Sequence, residues 1–126
     1  MRAVDTDVLV RLLTRDEPKQ VAAADAFVQT GAWVSVLALA EAMWVLATVY
    51  QRDAPHLARA VGMLLNHQQL ALQEPEVVAA ALETFRKRPT LGFSDCLLVE
   101  LARRAGHLPL GTFDRDLSKV DGAVKL

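Results

Sequence analysis

A single cysteine, Cys96, among 126 residues excludes an intrachain disulfide and any zinc site built from paired thiolates, and it suits a reducing compartment. Charge of neither sign is in excess. Fourteen Lys and Arg against fifteen Asp and Glu leave a formal net charge of −1, so no global basic field marks a nucleic-acid binder. Only local groups, Arg86 to Arg88 and the pair Arg103 and Arg104, remain as possible footprints. No apolar run approaches the ~20 residues of a membrane span. The N-terminal stretch MRAVDTDVLVRLL is interrupted by Asp5, Asp7 and Arg11 and resembles no signal peptide, so a soluble, cytoplasmic chain without a membrane partner is expected. His56, His67 and His107 each fall at a helix end and lack metal-ligand spacing, which leaves no histidine suited to catalysis. Repeats, low-complexity tracts and linkers are absent, and residues 1–126 are read as one domain.

What is present is apolar material in short, alternating periods. Ala3 to Asp5 is a brief strand-like lead, and Val8 to Thr14 then takes helical spacing. Pro18 suits a first helical turn, and Val21, Ala24, Phe27 and Val28 continue the pattern until Gly31. Ala32 to Val36 reads as a buried strand, and Leu37 to Tyr50 as a largely buried helix. Asp53 caps a further helix whose apolar face is Leu57, Val61, Leu64 and Leu65. A short strand is expected over Gln69 to Gln73, then a helix over Val77 to Arg88 with acids first and bases last, as the helix dipole favours. Ser94 is the expected N-cap of the run that Gly106 closes. Leu108 to Phe113 reads as a strand, and Ala123 to Leu126 as a final edge strand. Strands alternating with helices or helix pairs predict a three-layer α/β/α fold with a mainly parallel sheet.

In such folds ligands bind beyond the carboxyl ends of the strands. Asp5 follows the first strand, Asp95 lies at a helix start, and Asp114 and Asp116 follow a later strand. Glu41 lies inside a helix among Leu37, Ala40, Met43, Trp44, Val45 and Thr48, which predicts poor solvation, and a buried carboxylate takes a proton, pairs with a base or binds a metal. Singly, each acid has an ordinary explanation as a cap, a dipole partner or a turn residue, or, for Glu41, by reaching out to solvent. Together, hard oxygen ligands without His or Cys select Mg²⁺ or Mn²⁺, and such a site suits phosphodiester hydrolysis. Cys96 is expected to pack, and Trp33 and Trp44 to lie in the core or at a subunit interface.

Four segments, AVDTDVLVRLLTRDEP, VSVLALAEAMWVL, GFSDCLLVELARRAG and LGTFDRDL, together resemble the PIN-domain nucleases, and more narrowly the VapC-type toxins of bacterial toxin–antitoxin modules. The resemblance implies a homodimeric, Mg²⁺- or Mn²⁺-dependent endoribonuclease that acts on RNA, leaves a 5′-phosphate and a 3′-hydroxyl, and is held in check by a cognate antitoxin. Carried over by position, Asp5 and Asp95 would be the principal metal ligands and Glu41 and Asp114 would complete an acidic quartet. Thr6, Asp7, Thr112 and Asp116 would support it. Asp7 is a departure, because that family usually carries Asn there, and it adds a negative charge. Asp5 and Asp7 also approximate the Asp-x-Asp opening of haloacid-dehalogenase-like phosphatases, in which the first Asp is a nucleophile. A catalytically silent PIN-like binding partner is the third reading.

Overall fold

The computed structural model describes every residue from Met1 to Leu126, and the chain divides into two compact units, Met1–Pro75 and Glu76–Leu126. The first unit runs β1 (Arg2–Val4), α1 (Thr6–Thr14), α2 (Pro18–Val28), β2 (Ala32–Val34), α3 (Val36–Thr48), α4 (Ala54–Leu65) and β3 (Leu70–Leu72). Its strands form a parallel sheet in the order β1-β2-β3, with Val4, Val34 and Leu72 in one row and Ala3, Trp33 and Ala71 in the next. Side chains alternate across a strand, so a register that buries one row leaves the other on the opposite face. Val4, Val34 and Leu72 are buried; Ala3, Trp33 and Ala71 are exposed.

Three helices of this unit start at a polar side-chain cap. Asp5 accepts the amide of Val8 to start α1, Ser35 accepts that of Ala38 to start α3, and Asp53 accepts that of His56 to start α4. Such caps satisfy amides that the first helical turn leaves without partners, and each stabilises by about 1 kcal/mol. Gln73 adds a link from the end of β3, its Oε1 accepting the backbone N–H of Val36 at 2.9 Å. The core of this unit is aliphatic, with Leu9, Leu39, Val61 and Leu64 essentially without exposure.

The second unit contains α5 (Pro75–Lys87, of which all but the first residue belongs here), α6 (Phe93–Ala105), β4 (Leu110–Thr112), a 3₁₀ turn over Leu117–Lys119 and β5 (Ala123–Lys125). β4 and β5 pair in parallel as a separate two-stranded sheet, so the final strand extends β4. Phe85 and Phe93 meet edge to face, with ring centroids 5.8 Å apart, and fix the end of α5 against the start of α6. Gly106 closes α6 at φ 82°, a conformation that a side chain would strain. The α/β class and the parallel pairing are as expected from the sequence.

The N-terminus of α6 differs from expectation. Gly92 is the cap, without a side-chain bond, and the helix begins at Phe93, which puts Ser94 and Asp95 inside its first turn. Phe93 is 3% exposed, and its burial accompanies a helix start two residues earlier than a Ser94 cap would give.

Candidate active site

In the first unit the carboxyl edge of the parallel sheet carries the acids. Asp5 follows β1 directly and spends Oδ1 on the amide of Val8 at 3.1 Å, so the capping explanation is correct for that oxygen. Oδ2 has no hydrogen bond within the protein. Thr6, the first residue of α1, donates its hydroxyl to Oε2 of Glu41 at 3.2 Å and so ties the second turn of α3 to the start of α1. Asp7 is exposed in the first turn of α1, and with Asp5 it lines a groove of about 460 Å³ whose other walls include Arg11, Gln20 and Phe27.

Glu41 is exposed, contrary to the poor solvation expected of it. Leu37 and Trp44, its neighbours on the same helical face, are 69% and 66% exposed, so an apolar stripe of α3 faces outward and does not bury the carboxylate. Trp44 is accordingly no core residue, and Trp33 is 38% exposed. In this helix the buried face is made by Ala38, Leu39, Ala42, Met43 and Leu46. Apolar composition all around a helix cannot say which side faces inward.

In the second unit the acids are coupled. Asp95 is half-buried in the first turn of α6, and its carboxyl is pushed up from the ordinary range, first by burial and then by the charge of Asp114; a backbone hydrogen bond from Gly92 opposes this. Asp114 is exposed and locally braced. Its own N–H donates to Thr112 Oγ1 at 3.0 Å, and its Oδ1 accepts the N–H of Asp116 at 2.9 Å. Thr112 therefore orients the backbone of Asp114, and Asp116 contributes an amide while its exposed carboxylate makes no bond to either residue. Turn geometry alone, with Thr and Asp two residues apart, is the sequence signal for this brace.

No three His, Cys, Asp or Glu side chains are gathered as a metal-ligand set. The donors nonetheless fit a hard cation. Mg²⁺ is held through one or two carboxylates together with waters and substrate phosphates, and a half-buried carboxylate beside a second acid, as Asp95 is, is relieved by a divalent ion. Cys96 contributes nothing to such a site. Its thiol is buried and pushed up to about 11, chiefly by burial and then by the charges of Asp95 and Glu100. Iodoacetamide at pH 8 is expected to leave Cys96 unmodified in the folded protein and to alkylate it in denaturant; mass spectrometry reads both.

Among the basic residues near these acids, Arg11 is committed within the protein. It donates to Gln20, to Asp16 at 3.1 Å and to the hydroxyl of Tyr50 at 2.9 Å. Arg103 is likewise paired, with Glu100 at 3.3 Å. Arg86 is exposed and has no such bond. The Thr6 to Glu41 bond spans 35 residues and was not readable from spacing.

No helix is long and apolar enough to cross a membrane. Comparison with curated proteins and with solved structures returned no match. The sequence model of one protein family, described as the PIN domain, matches residues 2–123.

Proposed function

Since the chain belongs to the PIN domain family, whose members are in general metal-dependent nucleases, we propose that it is a Mg²⁺- or Mn²⁺-dependent endoribonuclease and the toxin of a VapC-type toxin–antitoxin module. On this reading it acts in the cytoplasm as a homodimer and is silenced by a cognate antitoxin. The family match runs through both compact units, which supports treating residues 1–126 as one nuclease domain.

The observation that carries the reading is the Asp95 carboxyl, raised by burial and by Asp114. An acid kept partly from water beside a second acid is costly for stability, and such pairs concentrate at functional sites. The proposal assigns metal binding to Asp5, Glu41, Asp95 and Asp114. A bound divalent ion there supplies neutralisation of phosphodiester charge and acidification of a water. The chain's own residues hold the acids in place: the Thr6 hydroxyl restrains Glu41, Thr112 and the amide of Asp116 restrain Asp114, and the first turn of α6 holds Asp95. Asp7 completes the negative rim next to Asp5.

The test is cleavage of total RNA by purified protein with Mg²⁺ or Mn²⁺, with ends mapped. Cuts that leave a 5′-phosphate and a 3′-hydroxyl and vanish with EDTA are expected, and a small protein encoded beside this chain should co-purify with it and suppress them. RNA left intact by folded protein with either metal overturns the reading. Asp7→Asn should retain cleavage, whereas a phosphatase that uses Asp5 and Asp7 would lose turnover with that change.

A further inference from the structure

We propose that a basic groove in the second unit, walled by the end of α5, the last turns of α6 and the 3₁₀ turn, binds the phosphates of single-stranded RNA beside the cleaved bond; this rests on the endoribonuclease reading. The groove encloses about 340 Å³ and gathers Lys87, Arg88, Arg103 and Lys119 with only two acids, Glu100 and Asp121. Both acids are engaged by Arg103, Glu100 at 3.3 Å and Asp121 at 3.9 Å, and Arg103 also donates to the Asp121 carbonyl at 2.6 Å. The other three cations have no carboxylate partner. Arg88 directs its guanidinium to the carbonyl of Lys119 at 3.5 Å, a contact that neutralises no charge.

Three exposed cations without carboxylate partners, gathered in one groove, create a local positive field that attracts a polyanion. Two features identify the polyanion as a nucleic-acid backbone and not an acidic protein surface. Val120 is the only apolar residue in the lining, and it is buried, so the groove offers no pocket for the aliphatic or aromatic anchors that carry protein–protein affinity. The walls also continue the elements that bear the acids of this unit. Arg103 follows Asp95 on the same helix by eight residues, about 12 Å along its axis. Lys119 ends the turn whose first amides are organised by Asp114, the Ser118 N–H donating to the Asp114 carbonyl at 3.0 Å. A strand passing Asp95 and Asp114 would reach this groove with its neighbouring phosphates. Net charge conceals the feature, because the cations come from three separate segments and are offset by acids elsewhere.

Binding measured without divalent metal separates this proposal from the catalytic one. A fluorescent single-stranded RNA is titrated in EDTA, at several salt concentrations, with the wild type, with Lys87→Gln/Lys119→Gln, and with a control of equal charge loss, Lys19→Gln/Arg52→Gln. The groove variant is expected to bind roughly tenfold more weakly at low salt, with a salt slope lower by about 1.4, the value for two lost phosphate contacts on a single strand. The control should keep the wild-type slope, and thermal melting should show both variants folded. An unchanged affinity and slope in the groove variant overturns the proposal even if the wild type cleaves RNA. Failure of the wild type to bind RNA also overturns it, as does displacement of bound RNA by polyglutamate at equal charge concentration. Salt-dependent binding through Lys87 and Lys119 without metal-dependent cleavage leaves the groove in place and refutes the nuclease reading instead.

Discussion

Asp95→Asn is expected to lower RNA cleavage on the order of a hundred- to a thousandfold, the usual cost of removing one preorganised electrostatic group from a reacting centre, and to make the protein more stable. The second half of this expectation follows from the position of the carboxyl. Its pKa in the folded chain is raised above the ordinary value, with burial the larger cause and Asp114 the smaller. A raised carboxyl pKa means that the folded state binds the proton more tightly than the unfolded state does. The penalty is absent below the ordinary carboxylate range, grows as pH rises through the folded pKa, and is fully present at neutrality. Asn removes the charge while keeping the shape. The variant should therefore melt a few degrees above the wild type at pH 7, with the difference shrinking as pH falls below the ordinary carboxylate range and the Asp95 carboxyl takes its proton in both states. Adding Mg²⁺ or Mn²⁺ should raise the wild-type melting temperature and close the gap, since a ligand that binds only the folded state stabilises it by mass action. If Asp95→Asn cuts RNA as well as the wild type, Asp95 is no metal ligand. If the variant is inactive yet less stable at neutral pH, the burial argument for this carboxyl fails.

Phe85→Ala is expected to destabilise the chain by about 3–5 kcal/mol, the range for deleting a buried aromatic ring, and to lower Tm on the order of 10–20 °C. Phe85 is 2% exposed and its ring meets that of Phe93, the first residue of α6, two positions before Asp95. The loss therefore combines a cavity with a loosened helix start. Cleavage should fall even at temperatures where the variant remains folded, because Asp95 is placed by that first turn. Phe85→Leu, which restores most of the volume but not the edge-to-face geometry, should recover most of the stability. Chemical denaturation of the three proteins checks the series, and a loss under about 1 kcal/mol for Phe85→Ala would show that the site collapses around the missing ring.

Much of the architecture was legible because it rests on local rules. Thr6–Thr14, Pro18–Val28 and Pro75–Lys87 are helices that apolar spacing, an initial proline or terminal charges announce, and each lies within about two residues of its expected limits. Asp5 is a cap because a short acceptor between a strand and an apolar helix has an amide three residues ahead to satisfy. Ser94 lies inside the first turn because the buried Phe93 before it belongs to the helix, which Gly92 caps. Glu41 is exposed for the related reason that its apolar neighbours Leu37 and Trp44 face solvent. A sequence records which side chains prefer to leave water, not whether the fold has room for all of them.

By itself, then, the sequence determined the α/β class, the parallel strands and the positions of Asp5, Asp95 and Asp114 in the fold, since strand ends, caps and helix starts are written over a few adjacent residues. Only the tertiary structure decided that Thr6 holds Glu41 across 35 positions, that Asp114 raises the carboxyl of Asp95, and that Lys87, Arg88 and Lys119 share one groove. Those outcomes depend on distances between residues far apart in the chain, and charge interactions fall off with distance in space, not in sequence.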